Sequence, residues 1–157
     1  MSFGVMDCSR LAVKWMVIAV LSALVFSCGQ RAAAPEKPAA EARGKVEWMS
    51  DYEKAAARAR EQKKPMMVDV MADWCSICKR MDTEVFSRAD VAASAAKFVA
   101  VKVDGDKRPE LKKKFDVSGY PTFILQTPEE KELGRVRGGV PYQLMIKALD
   151  EAAGKYR

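Results

Sequence analysis

Asp73-Trp74-Cys75-Ser76-Ile77-Cys78-Lys79 follows an apolar run from Pro65 to Ala72, and this junction constrains the fold more than any other stretch. A run that opens directly into a Cys-x-x-Cys helix is how a redox-active dithiol is presented. The first sulfur then sits at a helix N-terminus, where unpaired amides and the positive end of the dipole favour the thiolate. Cys75 is therefore the expected nucleophile. Cys78, about one turn along, is the more buried partner expected to form a disulfide with it. The run before them is nearly all apolar and reads as a strand covered on both faces. Asp69 lies inside that strand, and a buried carboxylate requires a reason.

Composition narrows the chemistry. The 157 residues suit one domain, and 49% apolar with 31% charged residues describes an ordinary globule. A net charge of +6 is too modest to mark a nucleic-acid binder. Lys112-Lys113-Lys114 is the one dense basic run and reads as a solvated helix face. The chain has no histidine, which removes the usual general base and the commonest metal ligand. Structural zinc needs about four ligands, more than one thiol pair supplies.

The first forty-four residues read as an address and a tether. Arg10 and Lys14 precede an apolar stretch, Trp15 to Phe26, that is too short to span a bilayer needing about 20 apolar residues. Its end, Val25-Phe26-Ser27-Cys28, resembles the lipobox of bacterial lipoproteins, which implies lipidation of Cys28 and a signal peptide over 1–27. Cleavage after Ala34 and an uncleaved anchor are the alternatives. Residues 28–44, rich in Ala, Pro, Glu and Lys, form an expected flexible tether. At about 3.3–3.6 Å per residue, its stretch from Arg31 to Gly44 could reach roughly 50 Å. The domain is expected over 45–157.

Within that domain, Ser50-Asp51-Tyr52-Glu53 has the form of a capping box, opening a helix to about Lys63 that Pro65 stops. After the strand to Ala72, a helix is expected from Cys75 to about Glu84. Ser87 is the expected cap of a shorter helix through Ala96. Phe98–Asp104 is a second strand, about Pro109 to Phe115 a helix, and Phe123–Gln126 a third strand. Glu132–Arg137 is a fourth strand, and Pro141 begins a last helix with Tyr142, Met145, Ile146 and Leu149 on one apolar face. Alternation followed by an antiparallel pair implies an α/β domain, a mixed central sheet with helices on both faces.

With Cys-x-x-Cys at a strand-to-helix junction and Gly119-Tyr120-Pro121-Thr122 before a later strand, the sequence resembles the thioredoxin family from roughly Val46 to Ala153. Trp48, Lys64-Pro65 and Ala72-Asp73-Trp74-Cys75 are most similar to the periplasmic domains of bacterial thiol:disulfide interchange proteins. The resemblance implies a thioredoxin fold and an oxidoreductase that needs no cofactor beyond its own dithiol. It implies that Asp69 is the buried acid that handles the proton of Cys78, and that Pro121 follows a cis peptide. Tyr120, Pro121 and Thr122, with Trp74 beside Cys75, would meet the substrate. Ser76-Ile77 is neither the Gly-Pro of cytosolic thioredoxins nor the Pro-His of strong oxidants. Ala100 stands at the place where thioredoxins carry a lysine near the acid.

These features together imply a monomeric reductase, lipid-anchored in the cell envelope and facing the periplasm, with outer-membrane sorting expected from Gly29. Its partners would be exported protein disulfides or another thiol carrier. Met66, Met67, Met71 and Met81 read as core fillers rather than copper ligands. Two other classes stay open: a module that handles Cu(I) through Cys75, Cys78 and a nearby methionine, and a thioredoxin-fold module with an inert disulfide that would only bind partners.

Overall fold

The computed structural model describes residues 44–156. The expected signal peptide, the expected lipidation site Cys28, and all but the last residue of the expected tether lie outside them. Among the described residues there are five helices and four strands: α1 Tyr52–Gln62, β1 Met66–Met71, α2 Ser76–Glu84, α3 Ala89–Ala95, β2 Val99–Asp104, α4 Pro109–Lys114, β3 Thr122–Gln126, β4 Glu132–Arg137 and α5 Tyr142–Tyr156.

The strands form one mixed sheet in the order β2-β1-β3-β4. β1 is central, parallel to β2 and antiparallel to β3, and β4 is antiparallel to β3. Strand alternation divides the core into two layers. Met66, Val68 and Val70 face one layer, closed by Ala55, Ala56 and Ala59 of α1 and Leu111 of α4. Those alanines leave little side chain between helix and sheet, so α1 packs directly on β1 and β2. Met67 faces the other layer with Phe123 and Leu125, beneath Met81 of α2, Val91 of α3 and Met145 of α5. Phe123 has no exposed surface; burying a side chain of this size stabilises by about 1.5–3 kcal/mol. Asp69, two residues from Met67, belongs to this second face.

Several local expectations are corrected. Helix α1 is capped by Asp51, not Ser50: Asp51 has extended backbone, and its Oδ1 accepts from the amide of Lys54 at 2.9 Å. Glu53 is then free to pair with Arg108 at 2.5 Å. Ser87 does not cap α3, because its hydroxyl donates back to the Thr83 carbonyl at 2.7 Å and Arg88 occupies the cap position. The three lysines of α4 do lie on a solvated helix face, with Lys113 and Lys114 exposed and Lys112 half-buried. Lys114 pairs with Glu130 at 2.6 Å, and Lys112 lies over the Tyr120 ring, 4.7 Å from its centroid. The segment preceding α1 also has a role: Met49 forms an isolated parallel bridge to Val101 on the outer edge of β2.

Candidate active site

Cys75 takes the N-cap position of α2 with extended backbone, φ −71° and ψ 104°. Its Sγ accepts from the backbone N–H of Cys78 at 3.1 Å. The first turn of the helix therefore aims an otherwise unpaired amide at this sulfur, which in the reduced protein stabilises the thiolate. Cys75 and Cys78 are joined as a disulfide, with Cα atoms 5.3 Å apart. Cys78 is the more buried of the two, as expected, by a narrow margin. Cys75 is 4% exposed and Cys78 2%, with Ala72, Met71 and Tyr120 packed around the pair.

Asp69 is 2% exposed. Burial pushes its carboxyl up to about 7; the ammonium of Lys102 pulls it down, and the carboxylate of Asp82 pushes it up again. Lys102, not Ala100, is the lysine beside the acid. Parallel pairing sets Asp69 opposite Lys102 and leaves Ala100 opposite Met67, one step back on the same face. The Lys102 ammonium is 3.6 Å from Asp69 Oδ2, is hydrogen-bonded to Asp82, and lies 5.0 Å from the centre of the Trp48 ring. Asp82 follows Cys78 by one turn of α2, so the two share a side of that helix. The carboxyl beneath the helix is thereby linked to solvent through Lys102 and the 40%-exposed side chain of Asp82.

The rim opposite the helix is the loop before β3. The Tyr120–Pro121 peptide is cis. The Pro121 carbonyl accepts from Gly138 N at 2.8 Å, which ties this loop to the end of β4. Thr122 is buried, and its hydroxyl donates to the Gly119 carbonyl at 2.8 Å. Its side chain therefore closes the loop and is not offered to a substrate. Trp74 stands 71% exposed with its ring edge-on to Tyr120, centroids 5.8 Å apart. The indole N–H and the Tyr120 hydroxyl both donate to Asp106, each at 2.7 Å. Ile77, 39% exposed, borders the loop after β4, where a Cβ on Gly139 would come within 2.8 Å of its Cγ2.

Three residues were missed from the sequence: Lys102, Asp82 and Asp106. Asp82 carried a signal, its spacing of four from Cys78 on a helix. Lys102 carried a weaker one, its alternation with Val101 and Val103. Asp106 carried none, since its partners are distant in the chain. Among the described residues no cluster of three or more His, Cys, Asp or Glu side chains is arranged around a metal position.

A family model for thioredoxin-like domains matches residues 47–128, more than half of the chain. The chain is 31% identical over 105 residues to the chloroplastic thioredoxin-like protein HCF164 of Arabidopsis thaliana, a match that covers 66% of this chain and 39% of that one. It is 30% identical over 112 residues to the thiol:disulfide interchange protein DsbD 2 of Pseudomonas aeruginosa, covering 69% of this chain and 19% of that one. The matches thus span well under half the length of these two relatives. Among solved structures, a thioredoxin from Thermus thermophilus superposes with a TM-score of 0.65 at 30% identity, over 71% of this chain and 90% of that one. The matched region contains the dithiol, Asp69 and the cis-proline loop alike, and the chain belongs to the thioredoxin-like family of thiol:disulfide oxidoreductases.

Proposed function

We propose that this chain is a membrane-tethered, extracytoplasmic thiol:disulfide reductase that acts on exported proteins or on another thiol carrier. The observation that carries the reading is the Cys75 sulfur at the N-cap of α2, accepting the Cys78 amide and bonded to Cys78. In the reduced protein the Cys75 thiolate attacks one sulfur of a substrate disulfide. A bond forms between Cys75 and that sulfur, the substrate S–S bond breaks, and the other substrate sulfur leaves as a thiolate that takes up a proton. The Cys78 thiol then passes its proton to Asp69 and attacks the Cys75 sulfur. This breaks the mixed disulfide, frees the second substrate thiol, and leaves the Cys75–Cys78 disulfide. Two electrons have moved to the substrate, and a dithiol donor must return them.

The reducing direction is supported by the likeness to an interchange protein and by the absence of a Pro-His dipeptide between the cysteines. The tether is supported by the order of Arg10 and Lys14, the apolar stretch and Cys28. A Cys78→Ser variant tests the reading. It should accumulate mixed disulfides through Cys75 with its natural partners, and equilibration with glutathione should place the parent nearer about −270 mV than about −120 mV. A potential near the latter value would reverse the direction. Mass spectrometry of the mature protein tests the anchor: a chain that starts elsewhere than at an acylated Cys28 removes it.

A further inference from the structure

The turn after β2 carries a carboxylate that the disulfide chemistry does not use. Asp106 accepts the Trp74 indole N–H on Oδ2 and the Tyr120 hydroxyl on Oδ1, both at 2.7 Å. Each oxygen therefore holds one of the two aromatic rings that border the dithiol, and the Lys112 ammonium stands 4.0 Å from Oδ1. The turn itself is pinned from several sides. Gly105 N donates to the Met71 carbonyl at 2.8 Å, Asp104 Oδ1 accepts from Asp106 N at 3.0 Å, and Lys107 pairs with Asp73 at 2.5 Å. Gly105 also leaves the space the phenol needs, since a Cβ there would stand 2.5 Å from the Tyr120 hydroxyl.

We propose that Asp106 is a positioning residue that sets specificity: it latches Trp74 to Tyr120 as one rigid rim beside Cys75, against which an extended protein segment docks. The inference rests on the oxidoreductase reading above and specifies how its protein substrate is held. Tyr120 packs against the dithiol and precedes Pro121 in the loop where a substrate strand would pair with the backbone. With both polar hydrogens turned to Asp106, the exposed indole of Trp74 offers an arriving chain an apolar surface, while Lys112 lies over the Tyr120 ring. Because the rim is held before the substrate arrives, less side-chain freedom is lost on binding. A small disulfide, which reaches Cys75 without lying along the rim, gains nothing from the latch.

The test uses the purified full-length protein with insulin as the protein disulfide, dithiothreitol as recycling dithiol, and a small aromatic disulfide as the comparison. In Asp106→Ala the loss should fall on KM for insulin, about three- to tenfold, rather than on kcat. Asp106→Asn, which keeps one accepting oxygen, should lie between parent and Ala. Tyr120→Phe removes one oxygen and keeps the ring, so it carries the test even where Asp106→Ala does not fold; its KM for insulin should also rise. The double variant Asp106→Ala/Tyr120→Phe should be no worse than Asp106→Ala alone. Unchanged KM in Tyr120→Phe, strict additivity, or an Asp106→Ala loss equal for insulin and the small disulfide overturns the latch while leaving the reductase reading in place. A parent that turns over neither substrate removes that reading, and the latch with it.

Discussion

The Lys102 ammonium lies 3.6 Å from Oδ2 of Asp69, while Oδ1 of the same carboxyl has no hydrogen-bond partner in the protein. One cation on one oxygen offsets only part of the cost of burying the charge. The acid is held at about 7, where it is part protonated near neutral pH and so able to take a proton and return it. The same imbalance has consequences for stability and for kinetics.

The stability consequence has a definite sign. The folded carboxyl holds its proton up to about 7, against 3.8 for an ordinary aspartate. Between those values the folded state binds a proton that the unfolded chain has released, so stability is greatest below about pH 4 as far as this group is concerned. It falls as pH rises to about 7 and is flat above, a loss of roughly 4 kcal/mol at most. Asp69→Asn removes this dependence. Urea unfolding of the oxidised protein should show the variant more stable than the parent at pH 8, with the gap shrinking toward pH 4. An equal gap at both pH values would contradict the assignment.

Lys102 and Asp82 should move the Asp69 titration in opposite directions. Lys102→Met removes the charge that favours the carboxylate and should raise the Asp69 pKa above its parental value. Asp82→Asn removes a repelling charge and also frees Lys102 to turn toward Asp69, so the pKa should fall. Carbon NMR titration of the Asp69 carboxyl reads both. Shifts of the same sign would mean that the three groups do not act as a linked set.

Exposure separates the two thiols only narrowly, at 4% and 2%, so the order of their reactions must come chiefly from electrostatics. Only Cys75 receives the amide of the first helical turn. Iodoacetamide applied to the reduced protein near neutral pH, followed by peptide mapping, should modify Cys75 first. Equal labelling would remove the attack order proposed above.

The carboxyl should matter more to resolution than to first attack. Cys75 already has the helix terminus, whereas Cys78 must lose its proton inside the helix before it can act. Asp69→Asn should slow release of a preformed mixed disulfide by at least about tenfold, in keeping with general-base contributions of about 10²–10⁴. Formation of that mixed disulfide should change much less. Stopped-flow measurement of the two steps separates them, and release at the parental rate would exclude Asp69 as the base.

Much of this arrangement was legible before any coordinates. The apolar run into Cys75-Ser76-Ile77-Cys78, the buried Asp69 and Gly119-Tyr120-Pro121-Thr122 are local patterns, and local backbone preference and side-chain periodicity suffice to read the α/β order from them. Even the errors at Ser50 and Ser87 were one-residue errors about where a helix begins. What the chain could not disclose lies across gaps. Whether Ala100 or Lys102 stands beside Asp69 depends on the register of two parallel strands joined through two helices: a slip of two residues would set Ala100 opposite Asp69 while leaving every side chain of β2 on its own face. Trp74 and Asp106 are 32 positions apart. They meet only because β1 and β2 end side by side, with Met71 paired to Asp104 and the turn of Gly105 fastened to Met71. Neighbours along the chain set the propensity of each element. The partners of a charge are set by packing between elements, which is where the acid acquires its lysine and the two rings their shared carboxylate.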